Sequence, residues 1–216
     1  MNHSETCDFT PPEAAWFDTP ARRTSVPSAP ECATLLGRAR DLADGYLKEN
    51  ARRTEAERRV SEHTTSLFRE AGFFRLMQPS RFGGYEYGFT PFIDIISELA
   101  RGCPSSSWGC SLGMVHQWLL GTCPLQAQED VWGENPDAIL CGSYAPVTDA
   151  QKVDGGYLVS GKWHWSSNID NSSWAFIGVF FPPDDEIPEK HAGFLLVPRS
   201  DWEIDDDWFT AGQAGT

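Results

Sequence analysis

The chain has 216 residues and a formal net charge of −14, from 17 lysines and arginines against 31 aspartates and glutamates. Nucleic acids and anionic membrane surfaces are bound by clustered basic residues, so this acidic balance argues against both as partners. Hydrophobic residues make up 40% of the chain, which is enough to form a core. The nine tryptophans exceed what that core needs, and we expect some of them to line a pocket for a flat ligand.

The sequence shows no signal for membrane insertion, secretion or metal binding. No stretch reaches the roughly 18 apolar residues of a membrane-spanning helix, and the first residues lack the basic and apolar regions of a signal peptide. The cysteines form neither a CxxC pair nor a zinc-spaced cluster with histidine; they lie at positions 7, 32, 103, 110, 123 and 141. We therefore predict a cytoplasmic protein with reduced thiols and no metal site.

The first part of the chain is predicted to be a flexible arm followed by helices. Residues 1–30 hold five prolines without hydrophobic periodicity, which is typical of a loosely docked segment. From Leu35 to Leu47 apolar residues recur at helical spacing. The segment Thr54–Glu57 has the form of a capping box, so a second helix is predicted to begin there. That helix is expected to end at Gly72, because glycine suits the left-handed position after a helix.

Two more helices are predicted before the pattern changes. Pro91 stands in the first turn of one, whose buried stripe is predicted to be Phe92, Ile95, Ile96 and Leu99. The other runs from about Ser106 to Leu120, with an expected inward face of Trp108, Leu112, Val115 and Leu119. His116 falls beside that face. On sequence alone such a histidine is more often a hydrogen-bonded core residue than a catalyst.

Near Ile139 the hydrophobic period changes from that of helices to that of strands. Asp154-Gly155-Gly156 predicts a hairpin turn. In the strand expected after it, Tyr157, Val159, Trp163 and Trp165 share one face, so His164 is predicted to point away from any pocket beside Trp163. Further strands are predicted over 174–181 and 194–197. The fold class is therefore α+β, with a helical domain over 31–137 and a β domain over 138–216.

Three short patterns have competing interpretations. Gly109-Cys110-Ser111-Leu112-Gly113 matches the nucleophile elbow of α/β hydrolases, but the helical period runs straight through it and no strand precedes it. No G-x-G-x-x-G fingerprint for a dinucleotide is present. Ser166-Ser167-Asn168 fits ordinary turn chemistry. It also fits the edge of a planar heterocycle, with the preceding tryptophans as a wall and the hydroxyls facing ring nitrogens.

Several segments together resemble one family. Gly72–Gly84 (GFFRLMQPSRFGG), Ser143–Pro146 (SYAP), Val153–Tyr157 (VDGGY) and Ser160–Ser167 (SGKWHWSS) are similar, in this order, to the oxygenase components of two-component flavin-dependent aromatic monooxygenases. These belong to the acyl-CoA dehydrogenase superfamily. Within them the segments most resemble the subfamily that hydroxylates a phenolic intermediate of steroid breakdown. The resemblance covers about residues 35–216.

The resemblance implies a fold, a cofactor and partners. The fold is an N-terminal helical domain, an antiparallel β-barrel-like middle domain and a C-terminal four-helix bundle, which this chain lacks. The cofactor is reduced flavin, FMN or FAD, delivered by a separate NAD(P)H:flavin reductase. The co-substrates are O2 and an aromatic small molecule, and members assemble as homo-oligomers.

The resemblance also assigns roles to individual residues. Ser167 matches a serine next to flavin N5, and Ser166, Trp163 and Trp165 lie in the same flavin-adjacent segment. His116 matches a helix histidine near the phenol, where it could favour the phenolate, and Ser143 matches a serine of that substrate pocket.

The chain departs from the family pattern at two points. Asn168 stands where relatives usually have glycine, and the sequence stops where relatives continue into a bundle that supplies another active-site histidine. Two alternatives therefore stay open. The chain could be an acyl-CoA dehydrogenase-like flavoprotein, or a truncated product that needs a partner chain.

Overall fold

The computed structural model describes residues 30–185 and 187–216, so the predicted N-terminal arm lies outside the described residues except for Pro30. The first half of the described chain is helical, with helices α1 (Cys32–Leu42), α2 (Lys48–Glu57), α3 (Glu62–Glu70), α4 (Phe89–Gly102), α5 (Pro104–Gly121) and α6 (Leu125–Trp132). Strands follow as β1 (Leu140–Ser143), β2 (Gln151–Val153), β3 (Gly156–Leu158), β4 (Trp174–Phe181) and β5 (His191–Pro198). None of the described helices is long and apolar enough to cross a lipid bilayer.

The start predicted for the second helix is wrong. A π-helical turn over Ala43–Leu47 joins α1 to α2, and α2 continues through Thr54 until Arg58, whose φ of 56° ends it. The amides after Thr54 are already in helical bonds and have no need of a cap. The next helix begins instead after Ser61, whose hydroxyl accepts the N–H of Thr64 at 3.1 Å.

The end of that helix and the start of α4 agree with the sequence. Gly72 has a φ of 83° just beyond α3, in the left-handed region where glycine costs least. In α4 the predicted residues Phe92, Ile95 and Leu99 are buried, and Ile96 packs partly buried against the same cluster. Helix α6 was not predicted.

The inward face predicted for α5 is wrong. Trp108 is 43% exposed, and the other three members of the predicted face are only partly buried. The buried face carries mainly small and polar residues, among them Ser105, Ser106, Ser107, Gly109, Cys110, Ser111, Gly113, His116 and Gln117. The reason is close packing: a Cβ added at Gly113 would stand 2.5 Å from the Phe74 ring.

The β region contains a mixed sheet and a separate hairpin. The three-stranded sheet has the order β1-β4-β5, and β2 pairs with β3. β4 and β5 are antiparallel, as predicted, but β1 and β4 are parallel. The chain between them is long enough to cross back to the same end of the sheet, which a tight turn cannot do.

The strand predicted over residues 157–165 is much shorter in the structure. Only Gly156–Leu158 pairs in β3, and the chain from Val159 to Trp165 has no assigned strand. This stretch runs instead along a cavity. A second core cluster, which includes Trp132, Leu140 and Phe176, packs α5 and α6 against the sheet.

Candidate flavin site

A cavity of about 630 Å³ lies beside the sheet. Its walls come from the segment after β3, from β4, from the chain after β5 and from the end of α2. The residues that matter most for its chemistry are Arg58, Arg59, Ser143, Lys162, Trp163, His164, Trp165, Ser166, Ser167, Trp202 and Thr216. The structure thus brings together five residues predicted from the sequence: Ser143, Trp163, Trp165, Ser166 and Ser167. The volume lies within the range of small-molecule sites, about 300–1,000 Å³.

The two predicted tryptophans differ in how they are held. The indole N–H of Trp163 donates to the backbone oxygen of Gly178 in β4 at 2.7 Å, which fixes its ring against the sheet. Trp165 is 81% exposed and has a φ of 63°. A left-handed backbone at a bulky residue is strained and is found mainly at functional sites. His164 lines the cavity as well, so its predicted placement outside the pocket is wrong.

Ser167 lies at the junction of three segments. The Trp108 indole N–H of α5 donates to its hydroxyl oxygen at 3.1 Å, and its hydroxyl is 3.4 Å from that of Thr216. The stretch that contains Thr216 is tied to α2, since Glu55 accepts the amide of Ala214 at 3.1 Å. Glu55 also accepts the hydroxyl of Ser105. The serine is therefore held between the helices and the last residues of the chain.

Asn168 adopts the backbone conformation that glycine would adopt. Its φ is 63° and its ψ is 20°, and asparagine is one of the few other residues that tolerate this region. Its side chain is 4% exposed and its Oδ1 accepts from Nδ2 of Asn171 at 3.1 Å. The departure from glycine therefore preserves the turn after Ser167.

Ser143 and His116 occupy different positions relative to the cavity. Ser143, at the end of β1, lines it and donates its hydroxyl to the backbone oxygen of His164 at 2.7 Å. His116 is 1% exposed and is not among the lining residues. Its ring stacks on Phe176 at 6.1 Å and meets Tyr144 edge-on at 5.8 Å. It thus lies behind the cavity wall, next to the strand that carries Ser143.

The environment of His116 favours the neutral imidazole. Burial lowers its pKa to about 4, and the nearby backbone oxygens of Leu112 and Leu140 offset part of that effect. Neither ring nitrogen has a hydrogen-bond partner of normal geometry within the described part of the chain. The structure therefore places His116 in the core, as the sequence alone favoured, but without the well-formed hydrogen bond expected there. The imidazole is buried and neutral.

Charged pairs surround the cavity mouth. Arg58 binds Asp206 at 2.6 Å and Arg59 binds Asp170 at 3.0 Å. Lys162 donates hydrogen bonds to Asp205 and Asp207, which raise its pKa, and Arg58 lowers the pKa of Asp206. No local sequence pattern marks these residues, because the partners come from distant segments and only the fold brings them together.

The cavity is also lined by a residue that the sequence did not predict, Trp202. Its indole N–H is buried and has no hydrogen-bond partner among the described residues. A flavin ring carries carbonyl oxygens and ring nitrogens on a planar frame. The tryptophan rings and the serine hydroxyls that line the cavity fit such a group.

The hydrolase interpretation of the Ser111 motif is wrong. Ser111 lies within α5, with no strand before it, and its hydroxyl donates to the backbone oxygen of Trp108 at 2.8 Å. The residue is buried in a helix and is not displayed on a strand-to-helix turn.

Comparisons with known proteins agree with this fold. The family "Acyl-CoA dehydrogenase, N-terminal domain" matches residues 29–132. The oxygenase component of an FADH2-dependent resorcinol hydroxylase from Rhizobium sp. (strain MTP-10005) is 43% identical, over 84% of this chain and 44% of its own. The oxygenase subunit HsaA of a flavin-dependent monooxygenase from Rhodococcus jostii (strain RHA1) is 42% identical, over 79% and 44%. The crystal structure of the HsaA monooxygenase from M. tuberculosis superposes with a TM-score of 0.80 at 36% identity, covering 87% of this chain and 50% of that one.

The chain therefore has an acyl-CoA dehydrogenase-like fold and is similar, over most of its length, to flavin-dependent oxygenase components. The resemblance and the fold class predicted from the sequence are thereby confirmed. The chain spans less than half of the length of the curated relatives it matches. What the whole protein does is therefore a matter for proposal.

Proposed function

We propose that this chain forms the N-terminal and central part of an oxygenase that hydroxylates a phenolic or polycyclic aromatic compound with reduced flavin and O2. The observation that carries the proposal is the cavity itself. It combines the aromatic walls Trp163 and Trp165 with the hydroxyls of Ser166 and Ser167, in a chain whose 43% identical relative is a resorcinol hydroxylase.

In this proposal each group has a physical role toward the flavin. Trp163, fixed by Gly178, supports the ring plane. Ser166 and Ser167 present hydroxyls to its polar edge, with Ser167 near N5. Arg58 and Arg59 also line the cavity, and they would meet the phosphates of FMN or FAD by exchanging their carboxylate partners Asp206 and Asp170, because guanidinium binds phosphate with two parallel hydrogen bonds. When bound, reduced flavin would supply the two electrons with which one atom of O2 enters the aromatic ring and the other leaves as water.

The substrate is proposed to bind next to Ser143 and His116. Because the imidazole is neutral, it can accept a hydrogen bond from a phenol, which makes the ring more electron-rich and easier to hydroxylate. With a pKa of about 4 it is too weak a base to take the phenol proton itself. Tyr144, 44% exposed and in contact with the imidazole, would have to move or be covered by substrate for this contact to form.

The same proposal implies a protein partner that supplies reduced flavin. No dinucleotide fingerprint is present in the sequence, so reduced flavin is proposed to come from a separate NAD(P)H:flavin reductase. Assembly as a homo-oligomer and a cytoplasmic location are proposed from the resemblance to the family.

Flavin binding and product formation test the proposal. The purified chain is titrated without oxygen with reduced FMN and reduced FAD, and tryptophan fluorescence is followed. It is then mixed with resorcinol and ¹⁸O2. We expect quenching that saturates and a product that carries one ¹⁸O atom. Ser167→Ala should weaken binding, whereas Ser200→Ala, an exposed serine outside the cavity, should not.

The outcomes separate the alternatives. Flavin binding without ring hydroxylation, but with oxidation of an acyl thioester, would favour an acyl-CoA dehydrogenase-like flavoprotein. A chain that binds neither flavin and elutes as an aggregate would contradict the proposal that these residues form the site without a partner chain.

A further inference from the structure

The hydroxyl of Ser167 accepts a hydrogen bond from helix α5, and no residue of that helix lines the cavity. The indole N–H of Trp108, in α5, donates to the Ser167 hydroxyl oxygen at 3.1 Å. Ser167 lines the cavity and Trp108 does not. The contact joins two segments far apart in sequence, so it depends on the packing of the helices against the β region.

An indole nitrogen can only donate a hydrogen bond, whereas a serine hydroxyl can donate one and accept two. In this contact the Ser167 oxygen must therefore be the acceptor. Its own proton stays available for another partner, and the hydroxyl of Thr216, at 3.4 Å, is an acceptor within reach. A serine without the indole would rotate freely between donating and accepting.

We propose that Trp108 is a positioning residue that fixes the polarity of Ser167. The indole occupies one acceptor site of the hydroxyl and leaves its proton for an acceptor on the cavity side, where it can be donated to a ring carbonyl oxygen of the bound flavin. This inference rests on the proposed function, because it specifies how Ser167 meets the flavin. Trp108 acts only through Ser167.

The chain offers a matched control on the same helix. Trp118 is also in α5 and is 42% exposed, against 43% for Trp108. It packs against Phe89 at 5.3 Å, well away from the serine segment. Replacing either tryptophan by phenylalanine removes an indole N–H from a half-exposed position while keeping an aromatic ring.

The first experiment needs no flavin. In a ¹H–¹⁵N spectrum of the full chain, the indole signal of Trp108 is identified by its loss in Trp108→Phe. In Ser167→Ala that signal should move upfield and exchange faster with solvent, because its acceptor is gone. Ser167→Thr, which keeps a hydroxyl, should restore it. The Trp118 indole signal should not move in either variant. A Trp108 signal that is insensitive to Ser167→Ala would overturn the proposal.

The second experiment measures coupling in flavin binding. Trp108→Phe should weaken reduced-flavin affinity about threefold to tenfold, the usual range for one hydrogen bond. Trp118→Phe should leave it unchanged. The double variant Trp108→Phe/Ser167→Ala should bind no more weakly than Ser167→Ala alone, since both remove the same interaction. Additive losses, or no loss in Trp108→Phe, would show that the indole does not act through Ser167.

Failure of this inference differs from failure of the proposed function. If the unchanged chain binds no flavin, the proposed function fails for these residues, and the indole spectrum still decides whether Trp108 orients Ser167. If flavin binds and the coupling is absent, only the role of Trp108 is wrong.

Discussion

Asn168 shows how one residue can preserve a turn that glycine usually makes. Its φ of 63° places it in the left-handed region, where an alanine is disfavoured by roughly 1–2 kcal/mol. The turn directly follows Ser167, so its backbone sets the direction of that hydroxyl. The side chain also accepts a hydrogen bond from Asn171, which glycine could not do.

We expect Asn168→Ala to destabilise the protein by about 1 kcal/mol more than Asn168→Gly. Both variants lose the bond to Asn171 and both remove most of a buried side chain, so their difference isolates the backbone strain. Urea unfolding of the two variants measures it. Equal midpoints would mean that the left-handed turn at residue 168 relaxes without cost.

The buried imidazole of His116 makes the free energy of unfolding decrease as the pH falls. Burial lowers its folded pKa to about 4, below the value of about 6.5 in an unfolded chain. Between these values the unfolded state binds more protons, so stability falls as the pH falls from 6.5 toward 4. Above pH 6.5 the group has no effect, since it is neutral in both states.

We predict that this histidine alone removes about 2 kcal/mol of folding stability between pH 7 and pH 5. Urea unfolding at both pH values measures the loss, to which carboxylates also contribute. In His116→Phe the loss should be smaller by that amount. In His63→Phe, an exposed histidine of α3, it should match the unchanged chain. A pH dependence that His116→Phe leaves intact would show that the imidazole is not held neutral by burial.

Sequence reasoning reached the candidate residues that are close together along the chain. Trp163, Trp165, Ser166 and Ser167 form one segment, and that segment does line a cavity. Trp202 and Arg58 were missed, because no local pattern marks a residue that reaches a site from a distant loop or helix end. What the cavity binds stays a prediction.

At the level of elements, apolar periodicity predicted α5 but chose the wrong face. Trp108 is the largest apolar residue of its first turns, yet it lies at the surface, while Gly109 and Gly113 face the core. Periodicity identifies where hydrophobic side chains gather. It does not identify a face that is buried because it is small enough for Phe74 and Val60 to approach.

The boundary between α2 and α3 shows that a capping sequence, too, can be misleading when it is read without its structural context. Thr54–Glu57 has the right residues for a capping box, but helix α2 already satisfies their amides. Ser61 is the residue whose hydroxyl caps α3. A capping sequence is informative only where the preceding chain is not already helical.

Ser61→Ala should therefore destabilise the protein by about 1 kcal/mol, because the Thr64 amide loses its acceptor. Ser66→Ala provides the comparison within α3, where alanine is favoured and no cap is lost. Thermal or urea unfolding of both variants suffices. If the two are equally stable, the hydroxyl of Ser61 contributes nothing as a cap.

At the scale of the whole molecule, an apolar surface on the helices is left uncovered by the described residues, 30–185 and 187–216. Phe89 is 46% exposed, Ile93 51% and Trp118 42%. Phe89 and Ile93 are four residues apart on α4 and so share a face, and the rings of Phe89 and Trp118 are 5.3 Å apart. We call these three residues the α4–α5 patch. Exposed apolar clusters of this kind drive association between proteins.

We predict that the chain self-associates through the α4–α5 patch. Burying apolar side chains against a second molecule is favourable by about 25 cal/mol per Å². A lysine in the patch would lose its hydration when the contact forms, which opposes association. Ile93→Lys should therefore shift the mass measured by sedimentation equilibrium toward the monomer. Leu158→Lys is the matched control, because Leu158 is 60% exposed but stands in the separate β2–β3 hairpin. A chain that is monomeric without any substitution, or whose Ile93→Lys variant associates equally well, would show that the patch is not the contact surface.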